Sequence, residues 1–205
     1  MKSLQQFVFE KLKLSTNKPY KYKPANAKEL RELVKKRIEE EGPQVDLNDI
    51  DVSDIKDFSR VFRNKNGMYT DFNGDVSGWD VSSAKNMSEM FYGCSNFNGD
   101  LSNWDVSSVL SISLMFAGCE KFEGTGLENW DVSNVGNMFC VFSDCRKFNA
   151  DISQWDVSAV HTFNEMFDNC LSFNRNLDDW DIQKYASMES MFNDCKKLKL
   201  PKWYK

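Results

Sequence analysis

A Trp-Asp pair recurs at Trp79-Asp80, Trp104-Asp105, Trp130-Asp131, Trp155-Asp156 and Trp180-Asp181, at intervals of 25, 26, 25 and 25 residues. This period constrains the fold more than any single segment does. A unit of about 25 residues cannot bury a core alone, so it must bury its apolar face against its neighbours in a stack.

The unit has two halves. The first reads Phe-x-x-x-apolar-x-x-Trp-Asp and starts at Phe72, Phe97, Phe122, Phe148 and Phe173, with Val76, Leu101, Leu127, Ile152 or Leu177 as the apolar residue. The third unit carries one extra residue in Gly124-Thr125-Gly126, which predicts a bulge. In the second half, Ala84, Met87, Met90, Phe91 and Cys94 are spaced 3, 3, 1 and 3 apart, the pattern of one helix face. Ser82, Ser107, Ser133 and Ser158 stand where N-caps are expected. The expected fold class is α/β, a solenoid of strand-plus-helix units of about 25 residues with a helical N-terminal cap.

The expected organisation has a leader and capping helix at 1–44 and the solenoid at 45–205. Within the solenoid, 45–71 is a degenerate first repeat with Ile50 in the tryptophan place. Five full repeats cover 72–197, and 198–205 closes the far end with Trp203 and Tyr204. Leu4, Phe7, Val8 and Leu12 predict a short amphipathic helix over 3–14, followed by a linker at 17–24. A clearer helix starts at Asn26, with Glu29 completing a capping box, and buries Leu30, Leu33, Val34 and Ile38 before Gly42-Pro43 stop it.

Charge narrows the partners. Residues 1–44 carry 11 Lys/Arg and 6 Asp/Glu, hence +5, whereas 45–205 carry 15 and 25, hence −10. An acidic array lacks the basic stripe that nucleic acid requires, so nucleic acid is excluded as the expected partner. No apolar run reaches the length of a membrane span, and the first ten residues lack the apolar core of a signal peptide. A cytoplasmic location is the expectation.

Stacking should place equivalent residues in columns. Phe91, Phe116, Phe142, Phe167 and Phe192 form one expected apolar column, and the tryptophans another. Cys94, Cys119, Cys145, Cys170 and Cys195 recur at one position, which favours buried thiols over disulfides. The aspartates at 51, 80, 105, 131, 156 and 181 form a further ladder. Calcium is one way to satisfy it, but the glycines of calcium loops are missing and capping of backbone N–H groups is favoured. With His161 as the one histidine and no Cys-x-x-Cys, no metal, cofactor or catalytic residue is expected.

The motif Phe-Asn-Gly-Asp-(Val/Leu)-Ser-x-Trp-Asp-Val-Ser, followed by Met-Phe-x-x-Cys-x-x-Phe, resembles the BspA-like repeats, also called mycoplasma-lipoprotein-associated repeats, over about residues 45–200. The resemblance implies a leucine-rich-repeat solenoid with no catalytic residues. Many members look like bacterial surface proteins that bind other proteins, and others are intracellular or phage-encoded. The expected function is therefore a non-enzymatic, intracellular module that binds a protein, with a phage origin as one setting and a surface adhesin or structural array as the alternative.

Two surfaces are candidate sites for that protein partner. The neighbours of the first-half apolar residues, Asp75, Asp100, Glu128, Asp151 and Asp178, should line an acidic concave face. Departures from the repeat make the other: Leu110 and Leu114 in the second full unit, Phe139 and Cys140 in the third, stand where other units carry Lys85, Glu89, Asn164, Glu165 and Glu189.

Overall fold

The computed structural model describes residues 20–64 and 67–205. The helix expected over 3–14 lies outside them. Regular secondary structure is sparse among the described residues: helix α1 at Ala27–Glu41, a hairpin of β1 at Arg63–Asn64 with β2 at Gly67–Met68, and one 3-10 turn at Leu127–Asn129. The rest is a stack of irregular coils, one per repeat. Successive coils are joined by isolated parallel bridges from Asp57 to Asn86, Ser111, Asn137, Thr162 and Ser187.

The expectation of strand-plus-helix units is therefore overturned, and with it the α/β leucine-rich-repeat solenoid. The reason lies in how the second half of each unit divides its N–H groups. Met90, Tyr92 and Cys94 donate three residues back, to the carbonyls of Met87, Glu89 and Phe91. Met87, Glu89, Phe91 and Gly93, between them, donate forward to Ser111, Ser113, Met115 and Ala117 of the next coil, at 3.0, 2.9, 2.9 and 2.7 Å. A helix needs every interior donor locally, and a strand gives its ladder donors to neighbours. Here the donors split between the two, so neither regular element forms. Left-handed φ values at Glu89 (57°) and Gly93 (71°) interrupt any helix. The apolar spacing read as a helix face is still burial, since Ala84, Met87, Met90, Phe91 and Cys94 are fully enclosed.

The serines expected to cap those helices do another job. Ser82, Ser107, Ser133 and Ser158 each donate their backbone N–H and Oγ–H to the aspartate two residues earlier. The Asp80, Asp105, Asp131 and Asp156 carboxylates thus close side-chain turns, the capping alternative that the sequence favours.

Four columns hold the stack together. Phe62, Phe91, Phe116, Phe142, Phe167 and Phe192 stack with centroids 4.9 to 5.8 Å apart. Alongside runs Phe72, Phe97, Phe122, Phe148 and Phe173, at 5.6 to 6.3 Å. Each tryptophan Nε1–H donates to the first-half apolar carbonyl one coil back: Trp79 to Leu47, Trp104 to Val76, Trp130 to Leu101, Trp155 to Leu127, Trp180 to Ile152 and Trp203 to Leu177. The cysteine thiols do the same to Phe62, Phe91, Phe116, Phe142 and Phe167. All six cysteines are free and buried.

Helix α1 covers the N-terminal edge. Asn26 accepts from the N–H groups of Lys28 and Glu29, while Glu29 reaches back to the Ala25 N–H, one residue before the N–H that a capping box engages. Leu30, Val34 and Ile38 are buried, and Leu33 packs against the core from a partly buried position. Arg37, although charged, is only 6% exposed. Its guanidinium grips Glu41, donates to Asp49 at 2.8 Å and the Asp46 carbonyl at 3.0 Å, and lies over the Tyr22 ring. Tyr22 bridges in parallel to Ile50, adding an extended rung beside the first coil.

Candidate functional site

The two candidate surfaces lie on different halves of the coil. On the first half, Val76, Leu101, Leu127, Ile152 and Leu177 are buried, and their neighbours Asp75, Asp100, Glu128 and Asp151 are exposed. Asp178 is half-buried, and its carboxylate pairs with the Lys202 ammonium at 2.9 Å. Asp75 and Asp100 share a shallow cleft of about 370 Å3 with Asn73, Asn98 and Asn103. Glu128 and Asp151 share another, of about 440 Å3, with Glu123, Lys147 and Arg175. The second cleft borders the extra residue of the third unit. Gly126 there has φ of 93°, and a Cβ on it would strike the Ser102 backbone, so the inserted turn is pressed against the preceding coil.

These carboxylates are already engaged. Asp75, Asp100 and Asp151 accept from the N–H of Ser77, Ser102 and Ser153, and Glu128 from the N–H of Gly126. Burial pushes the Asp75 carboxyl up, but bonds from Ser77 and Asn48 outweigh it and hold the group below its ordinary value. The Ser153 hydroxyl and N–H lower Asp151 in the same way. These residues serve the stack first. Among the described residues, no group of three or more His, Cys, Asp or Glu could hold a metal ion.

The second half carries the departures from the repeat. Arg60, Glu89, Leu114, Cys140, Glu165 and Ser190 form one column, all with left-handed φ between 51° and 59°. Polar members pair along it: the Arg60 guanidinium with Glu89 at 2.6 Å, and the Cys140 thiol with Glu165 at 3.6 Å. Arg60 and Arg63 hold the Glu89 carboxyl below its usual range. Leu114 alone in the column is aliphatic, and it is half-buried. Its N–H donates to the Phe139 carbonyl at 2.8 Å, which sets half-buried Phe139 beside it on the next coil. Leu110 lies one segment earlier, 56% exposed, and its carbonyl accepts from the Gly136 N–H. Leu110, Leu114 and Phe139 thus share two adjacent coils. Cys140 is only 5% exposed, so it drops out of the patch, and burial with Glu165 nearby pushes its thiol up to about 12. His161 is exposed, its ring over Gly136.

Sequence reasoning missed Arg37 and the Arg60–Arg63–Glu89 cluster. The column alignment of Arg60 with Glu89 was available as a signal, but only a coil one residue thick makes those positions touch.

Fold and surfaces together define a turn-built repeat protein whose variable side chains ride on an invariant aromatic stack. The chain belongs to the family described as Mycoplasma protein of unknown function, DUF285, whose pattern matches residues 28–126 and again 110–203. No curated protein and no solved structure matches it. No helix among the described residues is long and apolar enough to cross a membrane.

Proposed function

We propose that this chain is a non-enzymatic scaffold that binds a protein partner through Leu110, Leu114 and Phe139. The observation that carries the reading is Leu114. It is the one aliphatic side chain in a column whose left-handed φ is common to every coil, and it stands half-exposed beside the exposed Leu110. The core gains little from that arrangement, so an external apolar contact is its better explanation. The carboxylates of the first half, committed to turns, support a scaffold rather than an acid–base site. The BspA-like resemblance of the repeat supports protein binding; an intracellular, phage-borne setting is the reading we adopt, with a surface adhesin as the alternative.

Affinity capture from the native cell with wild type and with Leu110, Leu114 and Phe139 all changed to Ser tests the patch. The expected outcome is loss of specific partners from the triple variant. Recovery of the same proteins by both baits refutes it, and recovery of the chain at the cell surface favours the adhesin.

A further inference from the structure

The second half of the coils carries a charge gradient along the stack. Aligned by their parallel bridges, the equivalent stretches are 56–64, 85–93, 110–118, 136–144, 161–169 and 186–194. The first holds three basic residues and one acidic, a net +2, and the second holds one of each, a net 0. The third has no charged residue, and the fourth has Asp144 alone, a net −1. The last two hold two acidic residues each and no Lys or Arg, a net −2. Leu110, Leu114 and Phe139 sit where the sign changes. Arg60 and Arg63 are spent on Glu89, which leaves Lys56 and Lys85 as the free charges at one end. Glu165 and Glu189 are their counterparts at the other. Lys56, Lys85 and Glu189 are exposed, Glu165 is half-buried, and none of the four has an ion pair among the described residues.

The apolar patch between these ends offers side chains and no backbone. Leu110 and Leu114 donate their N–H groups to the carbonyls of Lys85 and Phe139, and their own carbonyls accept from Gly136 and Ala117. The Phe139 N–H donates to the Asn137 side chain at 3.0 Å, and its carbonyl accepts from Leu114. A strand added here finds no ladder partner, so an occupant must satisfy its own backbone, as an α-helix does. The spacing suits a helix as well. Bridged coils lie about 4.8 Å apart and a helical turn rises about 5.4 Å, so a helix along the stack sets about one residue per turn over each coil.

We infer that this strip binds an amphipathic helix of a partner protein, laid along the stack with its charges in the opposite order. Its acidic end lies over Lys56 and Lys85, its apolar middle on Leu110, Leu114 and Phe139, and its basic end over Glu165 and Glu189. Five coil steps span about 24 Å, the length of a helix of about 16 residues. A helix of uniform charge, acidic or basic, is repelled at one end of the strip. The charge order therefore selects the partner and fixes which way round it lies. The inference rests on the patch proposed above and adds the form, length and orientation of what binds there.

The probe is a displayed library of helical peptides of about 18 residues, randomised along one face and selected on the full chain. The expected binders carry Asp or Glu toward one end, apolar residues in the middle and Lys or Arg toward the other. The variant with Leu110, Leu114 and Phe139 all changed to Ser should release them. Near-UV circular dichroism checks that the tryptophan column of each variant is intact, and Leu110→Ser alone replaces the triple variant if that unfolds. Lys56→Glu with Lys85→Glu should weaken the binders by about tenfold or more. Glu165→Gln with Glu189→Lys should do the same, and the Gln keeps an acceptor for the Cys140 thiol. A paramagnetic tag on the acidic end of a binder should broaden the Lys56 and Lys85 amides and spare those of Glu165 and Glu189. Binders that need the patch but show no charge order, or that ignore both charge variants, overturn the inference and leave the patch standing. The reverse pattern of broadening, or a selection that enriches nothing, also overturns it. Binders held equally by the Ser variant overturn the patch and the inference with it.

Discussion

Replacing Arg37 by Met tests whether the N-terminal cap is held by charge as well as by packing. The Arg37 side chain is 8% exposed and has three partners: Glu41, Asp49 and the Asp46 carbonyl. Glu41, 48% exposed, regains water at little cost. Asp49, 21% exposed, does not, and keeps only Lys21 at 3.4 Å. Breaking a buried pair from one side typically costs 3–5 kcal/mol, and because Lys21 remains we place the loss at the low end, about 3 kcal/mol. Urea unfolding followed by tryptophan fluorescence reads this directly, and exchange of the α1 amides shows whether the loss is centred on the cap. Adding Asp49→Asn to Arg37→Met should recover part of it, since no charge is then stranded. The pair also sets a pH dependence. Burial raises the Asp49 carboxyl, but Arg37 and Lys21 outweigh it and its folded value lies below the ordinary one. Stability from the pair is thus complete above the unfolded value of about 4 and is lost as pH falls through the lower folded value. The gap between wild type and Arg37→Met should narrow below about pH 4. A loss under about 1 kcal/mol at neutral pH, or a gap that widens in acid, refutes the reasoning.

Leu114→Asn should stabilise the chain by up to about 1 kcal/mol, because Asn tolerates the left-handed φ, while weakening partner capture; destabilisation would remove the strain argument. Phe116→Ala should cost about 3–5 kcal/mol, since its ring is fully buried between Phe91 and Phe142, whereas Phe192→Ala, at the end of the column and 7% exposed, should cost clearly less; equal losses in thermal melts would contradict a nearest-neighbour stack. Burial pushes the Cys119, Cys145 and Cys170 thiols well up, so an aromatic disulfide reagent at pH 8 should label them only after urea unfolding, and rapid labelling of the native chain would refute their enclosure.

The period, the columns and α1 were legible because each rests on side-chain type. Burial of Phe116, capping by Asn26 and closure of a turn by Asp105 are properties a residue carries with it. The conformation of the second half was not legible, because apolar spacing reports which residues go inward and not the path between them. Ala84, Met87, Met90, Phe91 and Cys94 satisfy a helix face and a chain of turns equally well. The deciding quantity is where the Met87, Glu89, Phe91 and Gly93 N–H groups go, and that depends on a neighbouring coil 25 residues away. Of the proposed patch, Leu110 was readable as a break in pattern. Cys140 was misread because the thiol turns inward to Glu165.

The division of donors also gives the turn segments of the second half a direction. Within the second half, the turn segments donate toward higher numbers, from Phe58 to Asn86 through Asn169 to Asn193, while the bridge segments before them donate toward lower numbers, from Lys85 to Lys56 through Ser187 to His161. The turn segment of the first coil thus directs its carbonyls to the N-terminal edge. The carbonyl end is where α1 sits, with the Arg31 guanidinium donating to Ser59. That asymmetry comes from the backbone, and the sequence outside the repeat is arranged to match it.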